Sequence, residues 1–176
     1  EETIRTFIRQ NPQCLVVYRT PALQSWWNDL PSVWRKILLR NTGLTGEPDR
    51  NALHRISYLY DLRIDSADIE SLKPLDELDF LKRLTINRTY ITSIDPLKDH
   101  IDLQHLSITQ TPVTDPEPLK YLENLKELNI SNTGISDIEV LSALADLQVL
   151  SVSGIPLKNL KALSGQPVIK INHAAV

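Results

Sequence analysis

The sequence has no methionine, one cysteine and five glycines in 176 residues, and only 6% of it is aromatic. A single thiol, Cys14, excludes an intrachain disulfide and leaves the redox compartment open. Beside Leu15 and Val16 it reads as a small buried hydrophobe. No apolar run approaches the length of a membrane span. Nineteen basic residues against twenty-two acidic ones give a net charge of −3. That balance provides neither a basic footprint for nucleic acid nor a polybasic patch for a membrane surface. The four histidines, His54, His100, His105 and His173, are scattered without metal-ligand spacing, so neither a metal nor another cofactor is expected. The sequence opens on Glu1, a start read as processed or trimmed, so the lack of a signal segment excludes nothing. Scarce glycine beside eleven prolines suits regular short turns better than flexible linkers.

What is present is a register. Leu59, Leu81, Leu103, Leu125 and Leu147 recur at a constant step of 22 residues. The same step carries Leu62, Leu84, Leu106, Leu128 and Leu150, and then Ile64, Ile86, Ile108, Ile130 and Val152. Three further columns begin at Ile69, Leu72 and Leu75, and Pro116 is the one position of the thirty that is not aliphatic. Alternation at the end of each L-x-x-L-x-I stretch predicts a short strand with one buried face. A single copy cannot bury its leucines, whereas stacked copies share one continuous core. Pro74, Pro96 and Pro118 follow the same step and predict a short helical or 3₁₀ turn on the convex side, because proline presets φ and lacks an N–H that a first turn would leave unpaired.

The segments LKRLTINRTYITSIDPLKDH and LKELNISNTGISDIEVLSAL resemble the 22-residue class of leucine-rich repeats found in bacterial internalins. The resemblance covers about Leu59 to Leu163. It implies an α/β solenoid with short parallel strands in a curved sheet, and a non-catalytic protein-interaction module that binds in the concavity. It also slightly favours an extracytoplasmic location. The sequence departs from the family pattern at two places. A position that is usually asparagine is Thr89, Thr111 and Thr133 here, flanked by Ala67 and Ile155, so a ladder of hydroxyls is expected in place of amides. His100 stands in a column otherwise held by Leu78, Leu122 and Leu144, and Ile101 is expected to take its place by a local shift.

Three regions follow: a mainly helical N-terminal cap at 1–58, five repeats at 59–166, and a terminal strand and tail at 167–176. In the cap, helices are read over residues 1–10, 22–30, 31–40 and about 50–56, with Asn41 and Gly43 as terminating residues. The stretch Cys14–Tyr18 is read as a strand or a buried helical turn. Trp34 and one of the adjacent pair Trp26 and Trp27 are expected in the core, and the other member of the pair toward the surface. Beyond Leu150 the register falters, with Val168–Ile171 read as a last strand and Ile169 only 19 residues from Leu150. Either an exposed strand edge there invites self-association, or the native chain continues past Val176 as a scaffold segment of a larger, cell-surface bacterial protein.

Outward-facing strand residues make the concave surface polar. Arg63, Arg83, Asn87, Arg88, His105, Gln110, Glu127 and Asn129 are the candidate binding residues for an unidentified protein partner. Ser131 is also read as solvent-facing. His105 and Ser107 on one strand face evoke a base and a nucleophile, with Glu127 as the cross-strand neighbour of His105. A gently curved sheet lacks the water-excluding pocket that catalysis requires, so no enzyme is expected. Two glycosylation sequons, at Asn87 and Asn129, are read as chance occurrences.

Overall fold

The computed structural model describes residues 2–11, 14–156, 158, 160–164 and 170–172. Successive repeats each contribute one short strand: β1 (Asp61–Asp65), β2 (Arg83–Asn87), β3 (His105–Thr109), β4 (Glu127–Asn129) and β5 (Val149–Ser151). A sixth, β6 (Lys170–Asn172), follows. All pair in parallel and in sequence order within one open, curved sheet. The pairing register is the sequence register. Leu62 sits beside Leu84, Leu84 beside Leu106, Leu106 beside Leu128, and Leu128 beside Leu150. Among the described side chains of the six columns, only Leu59 and Pro116 are partly exposed, and the others are buried.

Each strand ends in the same way. Ser66, Arg88, Gln110 and Asn132 have φ between 50° and 55°, and Gly154 has φ 72°. These five positions also recur every 22 residues, and the left-handed turn sends the chain off the sheet. The N–H of each of the first four donates to a carbonyl one repeat further on, for instance Arg88 to Thr109 at 3.1 Å and Asn132 to Ser153 at 2.8 Å. Only asparagine and glycine enter this conformation cheaply, so a column of Ser, Arg and Gln carries no visible signal.

The return path uses 3₁₀ turns at Lys73–Glu77, Asp95–Asp99, Glu117–Tyr121 and Glu139–Ala143. Proline opens the first three, as its spacing predicts. A further column prepares all four. Ser71 and Ser93 hydroxyls, and Asp115 and Asp137 carboxylates, accept the backbone N–H two residues on, at 2.9–3.2 Å. Such local bonds fix a turn before any tertiary contact forms. They account for the fourth turn forming without proline.

Four helices precede the sheet: α1 (Glu2–Gln10), α2 (Thr20–Asp29), α3 (Ser32–Thr42) and α4 (Arg50–Ser57). Gly43 ends α3 in the left-handed conformation, φ 67°, and the Asp49 carboxylate caps α4 by accepting the Ala52 N–H at 2.8 Å. Trp27 and Trp34 are buried in the core that runs on into the repeats, and Trp26 is partly buried against it. Three arginines tie this helical segment to the repeats: Arg5 to Asp79 at 3.1 Å, Arg9 to Asp102 at 2.7 Å and Arg19 to Glu77 at 3.0 Å. All are partly exposed, so each contributes at most about 1 kcal/mol.

Several sequence expectations are corrected. Cys14–Tyr18 forms neither strand nor helix, and Cys14 is exposed rather than buried. The segment is instead held at its backbone, where the Tyr58 hydroxyl donates to the Val16 carbonyl. The threonine column is not a hydroxyl ladder. Thr133 Oγ1 donates to the Ile130 carbonyl at 2.7 Å, but the buried hydroxyls of Thr89 and Thr111 meet no partner. Backbone donors such as Tyr90 N–H to Ile69 already occupy turn carbonyls at 3.0 Å. β6 pairs Ile171, not Ile169, with Leu150, one residue short of the repeat step rather than three. Val168, Ile169 and the tail after Asn172 lie outside the described residues, as does Leu157 in the fifth repeat.

The remaining correction is at His100. It stays in its leucine column, 5% exposed, while Ile101 is 49% exposed. The backbone decides this: His100 N–H donates to Leu97 as Leu122 N–H does to Leu119, both at 3.0 Å. Repeating that bond fixes the register, and no slip is available to bring Ile101 inward. Burial pushes the imidazole below its ordinary value of 6.5, and Asp79, Asp76 and Asp99 oppose the shift without cancelling it. A folded-state value below the unfolded one means that the unfolded chain takes up the proton first. The stability present above pH 6.5 is therefore lost as the pH falls through the folded-state value. Restoring the column with His100→Leu is expected to raise stability by about 1 kcal/mol. It should also make thermal denaturation less sensitive to acidification between about pH 7.5 and about pH 5.5. His54, buried and also held low by desolvation and by Arg50, keeps some acid sensitivity in the variant. A variant as acid-sensitive as the parent would exclude this role for His100.

Candidate functional site

The concave face is organised in rows across the strands. One row runs Asp61, Arg83, His105, Glu127, Val149, and the next runs Arg63, Thr85, Ser107, Asn129, Ser151. Parallel in-register pairing puts equivalent residues side by side at strand spacing. Unrelated positions 22 residues apart thus become neighbours. The centre of the two rows forms a shallow depression of about 350 Å³ on β2 to β6. Arg83, His105, Glu127 and Asn129 line it together with Thr85 and Ser107.

The charges there are arranged in sequence across the strands. His105 Nδ1 lies 3.0 Å from Glu127 Oε2. That is ion-pair distance, but off the line of a good N–H bond, since the same nitrogen has no hydrogen-bond partner. Arg83, one strand over, is exposed and has no ion-pair partner among the described residues. Glu127 therefore does reach His105, as cross-strand pairing foresees. The site is an open, shallow depression.

Of the eight candidate residues, the structure brings Arg83, His105, Glu127 and Asn129 together in the depression. The other four lie outside it. Arg63 is beside Asp61 at 3.7 Å with its side chain largely exposed. Asn87 is built into a polar ladder, donating to Asp65 at 3.1 Å and accepting from Thr109 at 3.0 Å. Arg88 donates to Gln110 at 3.0 Å along the rim formed by the left-handed turns. Asn129 also spends its Oδ1 on the Ser131 N–H at 3.0 Å. Ser131, expected at the surface, is buried and accepts the Ser153 N–H at 3.1 Å.

One lining residue escaped the sequence reading. Asn172 lines the depression, and its amide donates to Ser151 Oγ at 3.1 Å. It lies in β6, outside the strict register, so periodicity could not align it. Val149 is the apolar member of a polar row, partly exposed, and gives the depression a small hydrophobic end.

Comparison with known proteins agrees with this geometry. A family model of leucine-rich repeats, in two copies, matches residues 123–165. Among solved structures, an internalin C2 from Listeria monocytogenes is 28% identical with a TM-score of 0.60, over 64% of this chain and 52% of that one. A second internalin from Listeria monocytogenes has a TM-score of 0.69 over 87% of this chain and 46% of that one; at 22% identity it speaks for the fold alone. The chain thus spans about half the length of these two internalins. No curated protein matches the sequence.

Proposed function

We propose that this chain, a leucine-rich-repeat protein similar to the internalins, is a non-catalytic module that binds a partner protein through its concave face. The observation that carries the reading is the row Arg83, His105, Glu127. It sets a guanidinium with no ion-pair partner among the described residues beside a histidine–carboxylate pair in a shallow depression. Arginine is among the residue types that anchor protein interfaces, because its planar fork engages carboxylates and carbonyls while its stem covers apolar surface. The hydroxyls of Thr85 and Ser107 add donors and acceptors of either polarity beside it. Strand pairing fixes the backbone positions of these groups, so a partner has only their side chains left to order.

The test is a triple substitution, Arg83→Ala, Arg88→Ala and Glu127→Ala. None of the three is buried, so the fold should survive, with an unchanged circular dichroism spectrum. Affinity for a partner identified by proximity labelling and verified with purified protein should fall by about thirtyfold or more, the loss of one hot spot. An unchanged dissociation constant measured by calorimetry would remove the concave face from the argument.

A further inference from the structure

A second and larger cavity, about 730 Å³, opens between helices α2 and α3 and the segment Asp68–Glu77 that follows β1. Its floor is apolar: Leu30, Trp34 and Ile69 are buried, and Trp26, Val33 and Pro74 are partly exposed. The cleft is preformed. The Trp26 indole N–H donates to the Pro74 carbonyl at 3.2 Å, tying helix to turn, and the ring meets that of Trp27 edge-on at 6.5 Å.

The rim is acidic. Asp29, Asp68, Glu70 and Asp76 line the opening and are exposed, against Lys73 as the one lining cation among the described residues. None of the four has an ion-pair partner among the described residues, whereas Glu77 is matched by Arg19 at 3.0 Å. Burial raises the Asp76 carboxyl above its ordinary value, partly offset by His100 and Lys73. Water therefore solvates that carboxylate incompletely, and a cation brought to it is attracted more strongly than at an open surface.

We propose that this cleft docks a segment of a partner protein in which one large apolar side chain is flanked by basic residues. The volume is that of a small-ligand pocket, enough for one such side chain and its backbone. The apolar group covers Trp26, Val33 and Pro74, displacing water from surface that the fold leaves open. Its basic neighbours reach the rim carboxylates, which repel acidic peptides, phosphates and nucleic acid. The surface is separate from the concave face, and the two stand or fall independently.

The probe is a capped tripeptide, arginine-tryptophan-arginine, with a counterpart carrying glutamate at both ends. Each is titrated into the full chain and followed by nitrogen-15 NMR. The basic peptide should shift the Trp26 indole resonance and the amides of Glu70 and Asp76 saturably, below about 1 mM, and the acidic one should not. The double variant Glu70→Lys and Asp76→Lys should weaken the basic peptide by about tenfold or more at an unchanged Tm. The neutral pair Glu70→Gln and Asp76→Asn should weaken it by a smaller factor. Equal binding of both peptides overturns the proposal, as does full affinity in the charge-reversed variant. Shifts centred on Arg83 and His105 overturn it too, and so do cleft shifts on concentrating the protein alone, which would make a second copy the occupant.

Discussion

Replacing Leu106 with alanine is expected to lower folding stability by about 3–4 kcal/mol, the upper part of the range for a buried leucine that leaves a cavity. Leu106 lies in the third strand, 2% exposed, with Leu84 and Leu128 paired on either side. A solenoid has no other core to compensate, because each repeat touches only its neighbours. The cavity therefore weakens both interfaces of the central repeat at once. Against a total stability of about 5–15 kcal/mol, that is a large fraction. Urea denaturation followed by circular dichroism measures it. The neighbouring Ser107→Ala, on the outward face, should stay within about 0.5 kcal/mol. The two adjacent residues face opposite sides of the sheet. A Leu106→Ala loss below about 1 kcal/mol would mean that the leucine columns do not form one continuous core.

The same one-dimensional character explains what could be read from the sequence. Every strand pairing from Asp61 to Ser151 repeats the 22-residue step, because burial demands the same side chain at the same place in each copy. Where the demand falls on backbone conformation instead, residue identity is loose. Ser66, Arg88 and Gln110 fill a left-handed column that only Asn132 and Gly154 advertise. His100 misleads in the opposite sense. A rule that puts leucine inside moves Ile101 inward, yet the fixed turn hydrogen bond retains the imidazole and burial disfavours its charged form. The apolar run at Cys14–Tyr18 fails for want of periodicity, since nothing in it distinguishes a buried strand from a tether lying on α4. For the site, cross-strand register placed Arg83, His105 and Glu127 in one row, whereas the larger cleft joins residues 26–34 to 68–77 across two kinds of structure. No repeat rule connects those segments.

The first strand raises a question that the repeats themselves cannot answer, because a solenoid's terminal strand has no neighbour on one side. An open edge leaves backbone N–H and C=O groups as a template for another chain. Asn41, near the end of α3, covers it. Its Oδ1 accepts the Arg63 N–H and its Nδ2 donates to the Arg63 carbonyl, both at 2.9 Å, so one side-chain amide stands in for a missing strand residue. The same Nδ2 also donates to the Ile37 carbonyl at 2.9 Å, which fixes the amide's orientation on the helix. Asn41→Ala should therefore cost about 2 kcal/mol, at roughly 0.5–1.5 kcal/mol for each lost edge bond. The sign discriminates, because alanine is the better helix former by about half a kcal/mol. If Asn41 served only as a helix residue, the substitution would stabilise the protein. Hydrogen exchange gives a local reading: the Arg63 amide should lose protection in the variant while Leu106 keeps it, relative to the global unfolding rate. Asn41→Asp retains an acceptor for the Arg63 N–H but sets a carboxylate against the Arg63 carbonyl and the negative end of the α3 dipole. It should be no more stable than the alanine variant. Full stability in Asn41→Asp would show that the amide donor contributes nothing to closing this edge.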